Sequence, residues 1–375
     1  MKLILINPFF QGIYWAPTMG LSFIADYIKK NSGWDVEVIE PALDNLDKEY
    51  VIGRCKDANI VGLSCYTGSR FECFDFAEKI RHLNRECKII VGGPHANTLD
   101  TLILEHYPFI DGVVRSEGED SMLDIVSGKP YKDISGLTWR NGTEIKKNSE
   151  RQMPEDISKF DYDYSYSWNY IKDWKDFEVP AKLLKRNHLP IIFSRGCPFR
   201  CKFCSANEQW GNVWRGIEPA EMANKMEALV KRYNVGYFRF YDAVFIGKQQ
   251  KILEFCDALE KKKLDISFRI DIRVGTPRNV LERLKAVGCE VVGFGIESGS
   301  DRILKKQNKG INRTMILKTI KDCKELGYWT IGFFMVSMPE ETIDDVRMTF
   351  DLFEHLDTYN YQFFKIHPNT AIYDE

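Results

Sequence analysis

The sequence has 375 residues, of which 44% are hydrophobic and 28% are charged, and this composition is typical of a globular chain with cores for two ordinary domains. Its formal net charge of −2 argues against a nucleic-acid partner, because surfaces that neutralise phosphates are usually strongly basic. Residues 3–25 carry no charge, but Asn7, Pro8 and Pro17 interrupt them, so we expect no secretion signal and no membrane-spanning helix, and we predict a cytoplasmic protein.

Strand and helix signals alternate over residues 1–127. Near-continuous apolar strands between helical segments predict a doubly wound, Rossmann-like parallel sheet. Such sheets bind ligands at the carboxyl ends of their strands, so the loops that begin at Asn7, Tyr66, Gly92 and Ser116 form a candidate ligand-binding edge. The predicted strands are Lys2–Asn7, Trp34–Ile39, Ile60–Cys65, Lys88–Val91 and Gly112–Arg115, with helices over Met19–Lys30 and Phe71–Leu83.

Residues 128–188 break this alternation, and we interpret them as a linker. Gly136–Ile145 has the pattern of a hairpin that turns at Asn141-Gly142. Phe160–Trp174 is rich in Tyr, Asp and Trp without clear periodicity, and it has too many aromatic residues for a disordered tether.

A second series of strands and helices occupies residues 189–375. Six β/α units predict a partial (β/α)6 TIM barrel, short of the eight units of a closed one. Its functional residues are expected at the carboxyl ends of the strands. The predicted strands are Ile191–Ser194, Gly236–Tyr241, Ile266–Asp271, Val291–Ile296, Thr330–Val336 and Tyr361–Ile366, and the clearest helices are Pro219–Arg232, Gln249–Lys262 and Asn279–Val287.

Three of the ten cysteines, Cys197, Cys201 and Cys204, lie within eight residues directly after the first strand of this series. Thiolates at this spacing can converge on one iron–sulfur cluster. Three thiolates on a 4Fe-4S cluster leave one iron open for another ligand. The alternative is a zinc site, which normally needs four ligands, and the next cysteine, Cys256, lies 52 residues further along the chain.

The Cys-x3-Cys-x2-Cys pattern, with the aromatic Phe203 before the last cysteine, resembles the signature of the radical S-adenosylmethionine (SAM) enzymes. In that family the open iron binds the amino and carboxylate groups of SAM, and one electron cleaves SAM to a 5′-deoxyadenosyl radical. The resemblance implies a flavodoxin or ferredoxin as the electron donor. It also implies that the protein positions the radical and excludes competing reactions.

Further residues lie where this family has contacts with SAM. The resemblance places Asp242 at the amino group, Arg273 at the carboxylate, Glu297 at the ribose hydroxyls together with Ser298, and the backbone of Phe203 at the adenine. Structural alternatives stay open, since Asp242 can cap a helix, Arg273 can pair with a neighbouring aspartate, and the segment around Glu297 can be a plain turn. No residue is assigned here to proton transfer or to substrate.

The N-terminal half resembles the cobalamin-binding domain of cobalamin-dependent radical SAM enzymes. The resemblance is carried by the segments Val61–Tyr66, Val91–His95 and Arg115–Glu119 and by the order of the two domains. Glycines in these segments let the backbone approach a bulky ligand closely. The implied cobalamin contacts are Tyr66, Thr67, Arg70, Gly92, Gly93, Glu117 and Gly118.

One motif of other cobalamin proteins, Asp-x-His-x-x-Gly, is missing from this sequence. The resemblance therefore implies base-off cobalamin with no His ligand, and we interpret His95 as a loop residue. The Tyr66–Arg70 loop would then face the lower side of the corrin, although Arg70 can equally cap a helix or form a surface ion pair.

The resemblance as a whole implies a cobalamin-dependent radical SAM methyltransferase. Its substrate would be an unactivated carbon, or a phosphorus, of a small molecule or peptide. One alternative keeps both cofactors and performs a ring closure, a contraction or another rearrangement. A further alternative is a sensor that binds SAM or cobalamin without turnover, but a sensor has no need of a reducible cluster.

Overall fold

A computed structural model describes residues 1–8, 18–160, 164–165 and 168–373. The chain divides into two compact units, Met1–Ile171 and Lys172–Glu375, whereas the sequence predicted a linker over residues 128–188 between two domains. Most of the predicted ligand loop after Asn7 lies outside the described residues, as do five residues of the aromatic segment 160–174. Within the described ranges, no helix combines the length and the apolar character needed to cross a membrane.

The first unit is built on a seven-stranded sheet in the order β2-β1-β3-β4-β5-β6-β7. Strands β1 to β5 are all parallel, which confirms the predicted doubly wound fold. The strands are β1 (Lys2–Ile6), β2 (Asp35–Ile39), β3 (Ile60–Ser64), β4 (Lys88–Gly92), β5 (Gly112–Val114), β6 (Leu137–Asn141) and β7 (Glu144–Lys147), and the helices are α1 (Met19–Asn31), α2 (Pro41–Asp44), α3 (Lys48–Arg54), α4 (Arg70–Leu83), α5 (Pro94–Thr98), α6 (Asp100–His106), α7 (Glu119–Val126) and α8 (Trp168–Ile171).

Both faces of this sheet are covered, as its nearly continuous apolar strands require. Ile4 and Ile6 belong to a buried cluster with residues of α3, α4 and α6. Leu3 and Leu5 belong to a second cluster, with residues of α1 and α7. Because successive side chains of a strand point to opposite faces, β1 contributes to the cores on both faces of the sheet. The faces are therefore used for packing, and ligands can bind only at the ends of the strands.

The hairpin predicted at Asn141-Gly142 is confirmed, because β6 and β7 pair antiparallel on either side of it. Gly142 has a positive φ of 61°, which a tight turn between two strands needs. Strand β6 pairs antiparallel with β5. The hairpin therefore extends the first sheet and belongs to the first unit.

The second unit is built on six parallel strands in the order β8-β11-β12-β13-β14-β15. The two end strands are edges of the sheet, so it is a half-barrel, as predicted. The strands are β8 (His188–Ile191), β9 (Ser194–Arg195), β10 (Arg215–Gly216), β11 (Tyr237–Phe240), β12 (Ser267–Ile272), β13 (Cys289–Glu297), β14 (Trp329–Val336) and β15 (Thr358–Phe363), and the helices are α9 (Ala181–Leu184), α10 (Ala206–Trp210), α11 (Pro219–Tyr233), α12 (Gln249–Lys262), α13 (Arg278–Ala286), α14 (Asp301–Lys306), α15 (Arg313–Glu325) and α16 (Ile343–Phe350).

The predicted bounds were wrong for the two edge strands, which each begin three residues earlier than expected. Strand β8 starts at His188 and contains Pro190, a residue that the sequence pattern of a central strand would exclude but an edge strand tolerates. Strand β15 is largely exposed, so it lacks the apolar pattern of a buried strand. Because β8 already ends at Ile191, Ser194–Arg195 are not part of the barrel sheet. They pair antiparallel with Arg215–Gly216, just before the cysteine loop.

Candidate functional site

The cysteine loop, residues 197–204, is fixed to the segment that follows α14. The Lys202 amide donates to the Gln307 carbonyl at 3.1 Å, and the Asn308 side-chain amide donates to the Arg200 carbonyl at 2.8 Å. The Cys204 amide donates to the Cys201 carbonyl at 3.1 Å, which folds the loop back on itself. These bonds hold the loop at the carboxyl end of the half-barrel.

The thiols of this loop lie in a partly buried, positively charged environment. Cys201 is 9% exposed, and Cys197 and Cys204 are half-buried. Burial raises the pKa of Cys197 and of Cys204, while the positive charge of Lys309 acts on both thiols in the opposite direction and that of Arg273 acts on Cys197. Cations around a thiol favour the thiolate, the form that binds metal.

No group of three His, Cys, Asp or Glu side chains in the described part of the chain is arranged to hold one metal ion. A single zinc ion needs its thiolates all within about 2.3 Å of one point. A four-iron cluster offers a different iron to each cysteine, and a loop with three partly buried thiols fits that donor set.

Arg273 follows directly after β12. Its guanidinium lies 3.6 Å from the centre of the Phe199 ring, inside the cysteine loop, and it donates a hydrogen bond to the Lys309 carbonyl oxygen. The aspartate suggested as its alternative partner, Asp271, instead pairs with Arg239 at 2.6 Å. The structure thus brings Arg273 to the cysteine loop with donors directed at that edge of the sheet.

Glu297 ends β13 at an irregularity of the strand pairing, between Gly295 and Glu297. Its φ of 71° is rare for a residue other than glycine, and such strained residues concentrate at functional sites. Bulges of this kind redirect a side chain. Here the Glu297 carboxylate lies 2.9 Å from the ammonium group of Lys309.

Gly295 leaves the space that this ion pair occupies. A Cβ atom at Gly295 would lie 2.7 Å from Oε1 of Glu297 and 3.1 Å from Nζ of Lys309. The same ammonium lies 5.7 Å from the centre of the Phe203 ring, and Phe203 packs against the buried Ile303 cluster. Residues from three separate loops therefore meet at one end of the half-barrel.

Two of the predicted SAM contacts are directed elsewhere. Asp242 accepts hydrogen bonds from the Phe193 amide, at 3.1 and 3.2 Å, and from the Ser194 hydroxyl, at 2.5 Å, and burial raises its pKa to about 7. Ser298 is fully buried, with its hydroxyl 3.3 Å from that of Thr349. These side chains stabilise the turns before and after the site, and contacts from them to SAM stay predictions.

Lys309 is the residue of this site that sequence reasoning missed. It lies in the loop after α14, at a place where no motif is evident. A signal was nevertheless present in the glycine that follows it, Gly310, which has a positive φ of 69°. A Cβ atom at Gly310 would lie 3.1 Å from Nη2 of Arg273. A glycine that is needed for a close approach often marks a ligand-binding loop.

The strand ends of the first unit are lined by glycine and backbone. Gly93 has a φ of 94°, and a Cβ atom there would lie 3.0 Å from both the nitrogen and the oxygen of Cys65. At Gly92 a Cβ atom would meet only the Val114 carbonyl, at 3.7 Å. Gly93 therefore permits a close approach of two backbone segments, whereas the backbone at Gly92 is left open. An open backbone position at a strand end lets a bulky ligand approach closely, so Gly92 fits the predicted cobalamin.

The Tyr66–Arg70 loop lies at the same edge. The Tyr66 side chain is 42% exposed, whereas the Arg70 guanidinium donates to the Thr67 carbonyl at 2.5 Å and lies over the Phe71 ring. The Thr67 hydroxyl lies 3.2 Å from Nδ1 of His95. Burial, followed by the charge of Arg70, lowers the pKa of His95. The interpretation of His95 as a loop residue was wrong, because Pro94 starts helix α5 and His95 is a buried residue of that helix.

Ser116, Glu117 and Gly118 follow β5. Ser116 has a φ of 62° and its amide donates to the Asn97 side chain at 2.7 Å. Ser116 and Glu117 line a small surface pocket together with Asp120 and Arg151. A Cβ atom at Gly118 would lie 2.8 Å from the Ile24 side chain, so this glycine permits helix packing, as the last glycine of a phosphate-binding loop does.

Glu40, at the end of β2, is a second residue that the sequence did not suggest. Its buried carboxylate accepts hydrogen bonds from the Asn7 side chain at 3.0 Å and from the Thr18 amide at 2.7 Å. Burial raises its pKa to about 7. Glu40 therefore connects Asn7 and Thr18, which lie before and after the loop that follows β1.

Two family models match the chain. Residues 14–126 match the B12 binding domain, and residues 191–353 match the radical SAM superfamily. The two matches cover the strand ends described in each unit. They also explain why one chain carries both a glycine-lined edge and a cysteine loop.

The chain is similar over most of its length to known proteins. It is 28% identical over 368 residues to the uncharacterised methyltransferase PH0819 of Pyrococcus horikoshii, covering 96% of this chain and 78% of that protein. It is 26% identical over 352 residues to the anaerobic magnesium-protoporphyrin IX monomethyl ester cyclase of Rubrivivax gelatinosus, with 90% of this chain matching 62% of the cyclase.

The fold also matches a solved structure, that of the radical SAM methyltransferase TsrM from Kitasatospora setae with cobalamin and a 4Fe-4S cluster bound. The TM-score is 0.77 at 17% identity, over 99% of this chain and 73% of TsrM. Such a likeness shows a shared fold. The two family models show that the chain combines a B12 binding domain with a radical SAM domain, the pair of domains found in the cobalamin-dependent radical SAM enzymes.

Proposed function

We propose that this chain is a methyltransferase that uses a 4Fe-4S cluster, SAM and cobalamin to methylate an unactivated carbon or phosphorus of a small molecule or peptide. The observation that carries the proposal is the meeting of the cysteine loop, Arg273 and Glu297 at one end of the half-barrel in a chain that also has a B12 binding domain. The similarity to PH0819 over 96% of the chain supports methyl transfer.

The residues of the second unit divide the work of holding the cluster and SAM. Cys197, Cys201 and Cys204 would bind three irons of the cluster. Arg273, whose guanidinium is positioned by Phe199, would bind the SAM carboxylate through charge-assisted hydrogen bonds. Glu297 would accept hydrogen bonds from the ribose hydroxyls, and the backbone at Phe203 would contact the adenine.

The residues of the first unit would bind cobalamin chiefly through shape. The open surface at Gly92 and Gly93 would receive the corrin, and Tyr66 would lie beside it without a His ligand to cobalt. When bound, the cluster and SAM supply a 5′-deoxyadenosyl radical, and cobalamin supplies a transferable methyl group. The part of the chain is to orient these groups and to exclude water from the radical.

The similarity to the Rubrivivax gelatinosus cyclase favours a second candidate, a ring closure or rearrangement with the same cofactors. The two reactions differ in product mass, because methylation adds one CH2 to the substrate and a cyclisation does not. Either reaction requires a low-potential electron donor. We propose a flavodoxin or ferredoxin for this role, and a cytoplasmic location where such donors are kept reduced.

The test is anaerobic reconstitution of the chain with iron, sulfide and hydroxocobalamin, followed by ultraviolet–visible spectroscopy and an assay for 5′-deoxyadenosine. The proposal expects one cobalamin retained per chain and SAM cleavage by the wild type. Cys201→Ala should abolish cleavage, whereas Cys289→Ala, which changes a buried cysteine outside the loop, should retain it. A cluster that cleaves SAM without any cobalamin bound would contradict the methyltransferase proposal.

A further inference from the structure

We propose that Lys309 is a positioning residue that holds Glu297 in place for SAM and supplies a fixed positive charge beside the iron–sulfur cluster. The inference rests on the proposed function, since it concerns the same site. It adds a residue that lies outside the sequence motifs identified for the cluster and SAM. The evidence is the geometry of Lys309, the space around it and the balance of charge.

The Lys309 ammonium is held by contacts on several sides. It lies 2.9 Å from Oε1 of Glu297, and both side chains are nearly buried, at 11% and 13% exposed. The Lys309 amide donates to the Leu304 carbonyl at 2.9 Å, and its carbonyl accepts a hydrogen bond from Arg273. These contacts fix both the backbone and the ammonium group of Lys309, so the pairing has a defined geometry.

The space that the ion pair occupies is left by a glycine. The missing side chain of Gly295 makes that room, since a Cβ atom there would lie within 3.1 Å of both charged groups. The φ of 71° at Glu297 directs the carboxylate toward Lys309 at the cost of backbone strain. Without the lysine, a nearly buried carboxylate would be left unpaired and would move toward water.

The charges explain why a lysine is needed here. Three thiolates and the Glu297 carboxylate place negative charge at this end of the half-barrel. The Lys309 ammonium lies 5.7 Å from the centre of the Phe203 ring, and Phe203 stands between Cys201 and Cys204 in the cysteine loop. Adding an electron makes the cluster more negative, so a nearby cation stabilises the reduced state more than the oxidised state. Net charge around a cluster is one determinant of its reduction potential.

The experiment compares four variants of the full chain, reconstituted with iron and sulfide. They are Lys309→Gln, Lys309→Arg, Glu297→Gln and, as a matched control, Lys305→Gln, which changes an exposed lysine of the neighbouring helix α14. Iron content and thermal melting establish that each variant is folded and loaded. The midpoint potential is measured by dithionite titration followed by electron paramagnetic resonance, and SAM affinity is measured by equilibrium dialysis.

Lys309→Gln should lower the ratio of reduced to oxidised cluster about tenfold at a fixed potential, which is about 59 mV for one electron, and should weaken SAM binding about tenfold. Lys309→Arg should retain both properties within about threefold, because it keeps the charge. Glu297→Gln should weaken SAM binding but shift the potential in the opposite, positive direction. Lys305→Gln should match the wild type.

Opposite shifts for the two members of one ion pair are what a charge effect predicts and a packing defect does not. Wild-type potential and SAM affinity in Lys309→Gln would overturn the inference and leave the proposed function intact. A negative shift of the midpoint potential in Glu297→Gln would also overturn the inference. This variant provides the test if Lys309→Gln fails to fold. A wild-type chain that assembles no cluster would overturn the proposed function, and the inference with it.

Discussion

The two units place their candidate sites at the same position, the carboxyl ends of parallel strands, but line them differently. In the second unit charged side chains meet there, with Arg273, Glu297 and Lys309 around the cysteine loop. In the first unit Gly92 and Gly93 lie at the corresponding edge, and the charged side chains beside them, Glu40 and Arg70, are engaged in internal hydrogen bonds. The fold therefore decides where a ligand binds, and the residues at the strand ends decide which chemistry it has.

The difference follows from the ligands proposed for the two sites. SAM carries a carboxylate, an amino group and a sulfonium, and it must be held in one orientation, which fixed charges accomplish. A corrin is broad and needs an open surface more than it needs charges. Accordingly, the charged site is filled in the structure by an internal ion pair, Glu297–Lys309, whereas the glycine edge is open.

The largest effect is expected at the charged site. Arg273→Met should weaken SAM binding by about tenfold to a hundredfold, because it removes charge-assisted hydrogen bonds worth roughly 1.5–3 kcal/mol. The measurement is equilibrium dialysis of SAM against the reconstituted protein. The control is Arg283→Met, which changes an arginine that pairs on the protein surface with Asp257 and Glu260. Equal SAM affinity in both variants would contradict the assignment of Arg273.

A pair of glycine variants tests the edge of the first unit. Gly93→Ala should destabilise the first unit by roughly 1–3 kcal/mol, because its φ of 94° suits only glycine. Gly92→Ala should leave stability within about 0.5 kcal/mol, since its Cβ meets one atom at 3.7 Å, yet it should weaken cobalamin binding. Urea unfolding and cobalamin retention separate the two effects. If Gly92→Ala binds cobalamin normally, the corrin does not lie on this glycine.

The smallest effects concern one buried carboxyl group in each unit. The pKa of Glu40 and that of Asp242 are both raised to about 7 by burial, so the folded protein holds these protons more tightly than the unfolded chain does. Their contribution to stability is complete below the unfolded pKa of about 4 and is lost as the pH rises through 7. We expect the free energy of unfolding to fall over this range.

Glu40→Gln and Asp242→Asn should each flatten that pH dependence, by roughly 1 kcal/mol between pH 6 and pH 7. Urea unfolding at the two pH values checks this. A variant with the same slope as the wild type would show that its carboxyl group titrates normally. If only Asp242→Asn flattened the pH dependence of stability, the raised carboxyl pKa would be restricted to the second unit.

Several features were predictable because local pattern determines them. Apolar runs of Val, Ile and Leu at regular spacing predicted all five parallel strands of the first unit and the central strands of the half-barrel. Edge strands were placed wrongly, since β8 contains Pro190 and β15 is exposed. Neither strand has the uninterrupted apolar pattern that two pairing partners impose.

The roles of single polar residues were harder to predict. Asp242 stands at the expected strand end, yet its carboxylate is bonded to Phe193 and Ser194. A motif specifies the position of a residue along the chain but not the rotamer that its neighbours select. Lys309 and Glu40 carry no motif, and only their partners mark them.

The sequence by itself determined the kind of chemistry, because cysteine spacing and glycine placement are local properties of one loop. It also determined the order of the two domains. The tertiary structure alone decided which charges meet, since Glu297 and Lys309 are brought to 2.9 Å by a strand irregularity, a positive φ and the absence of a side chain at Gly295. Contacts of this kind depend on the packing of three loops at once, which no single segment encodes.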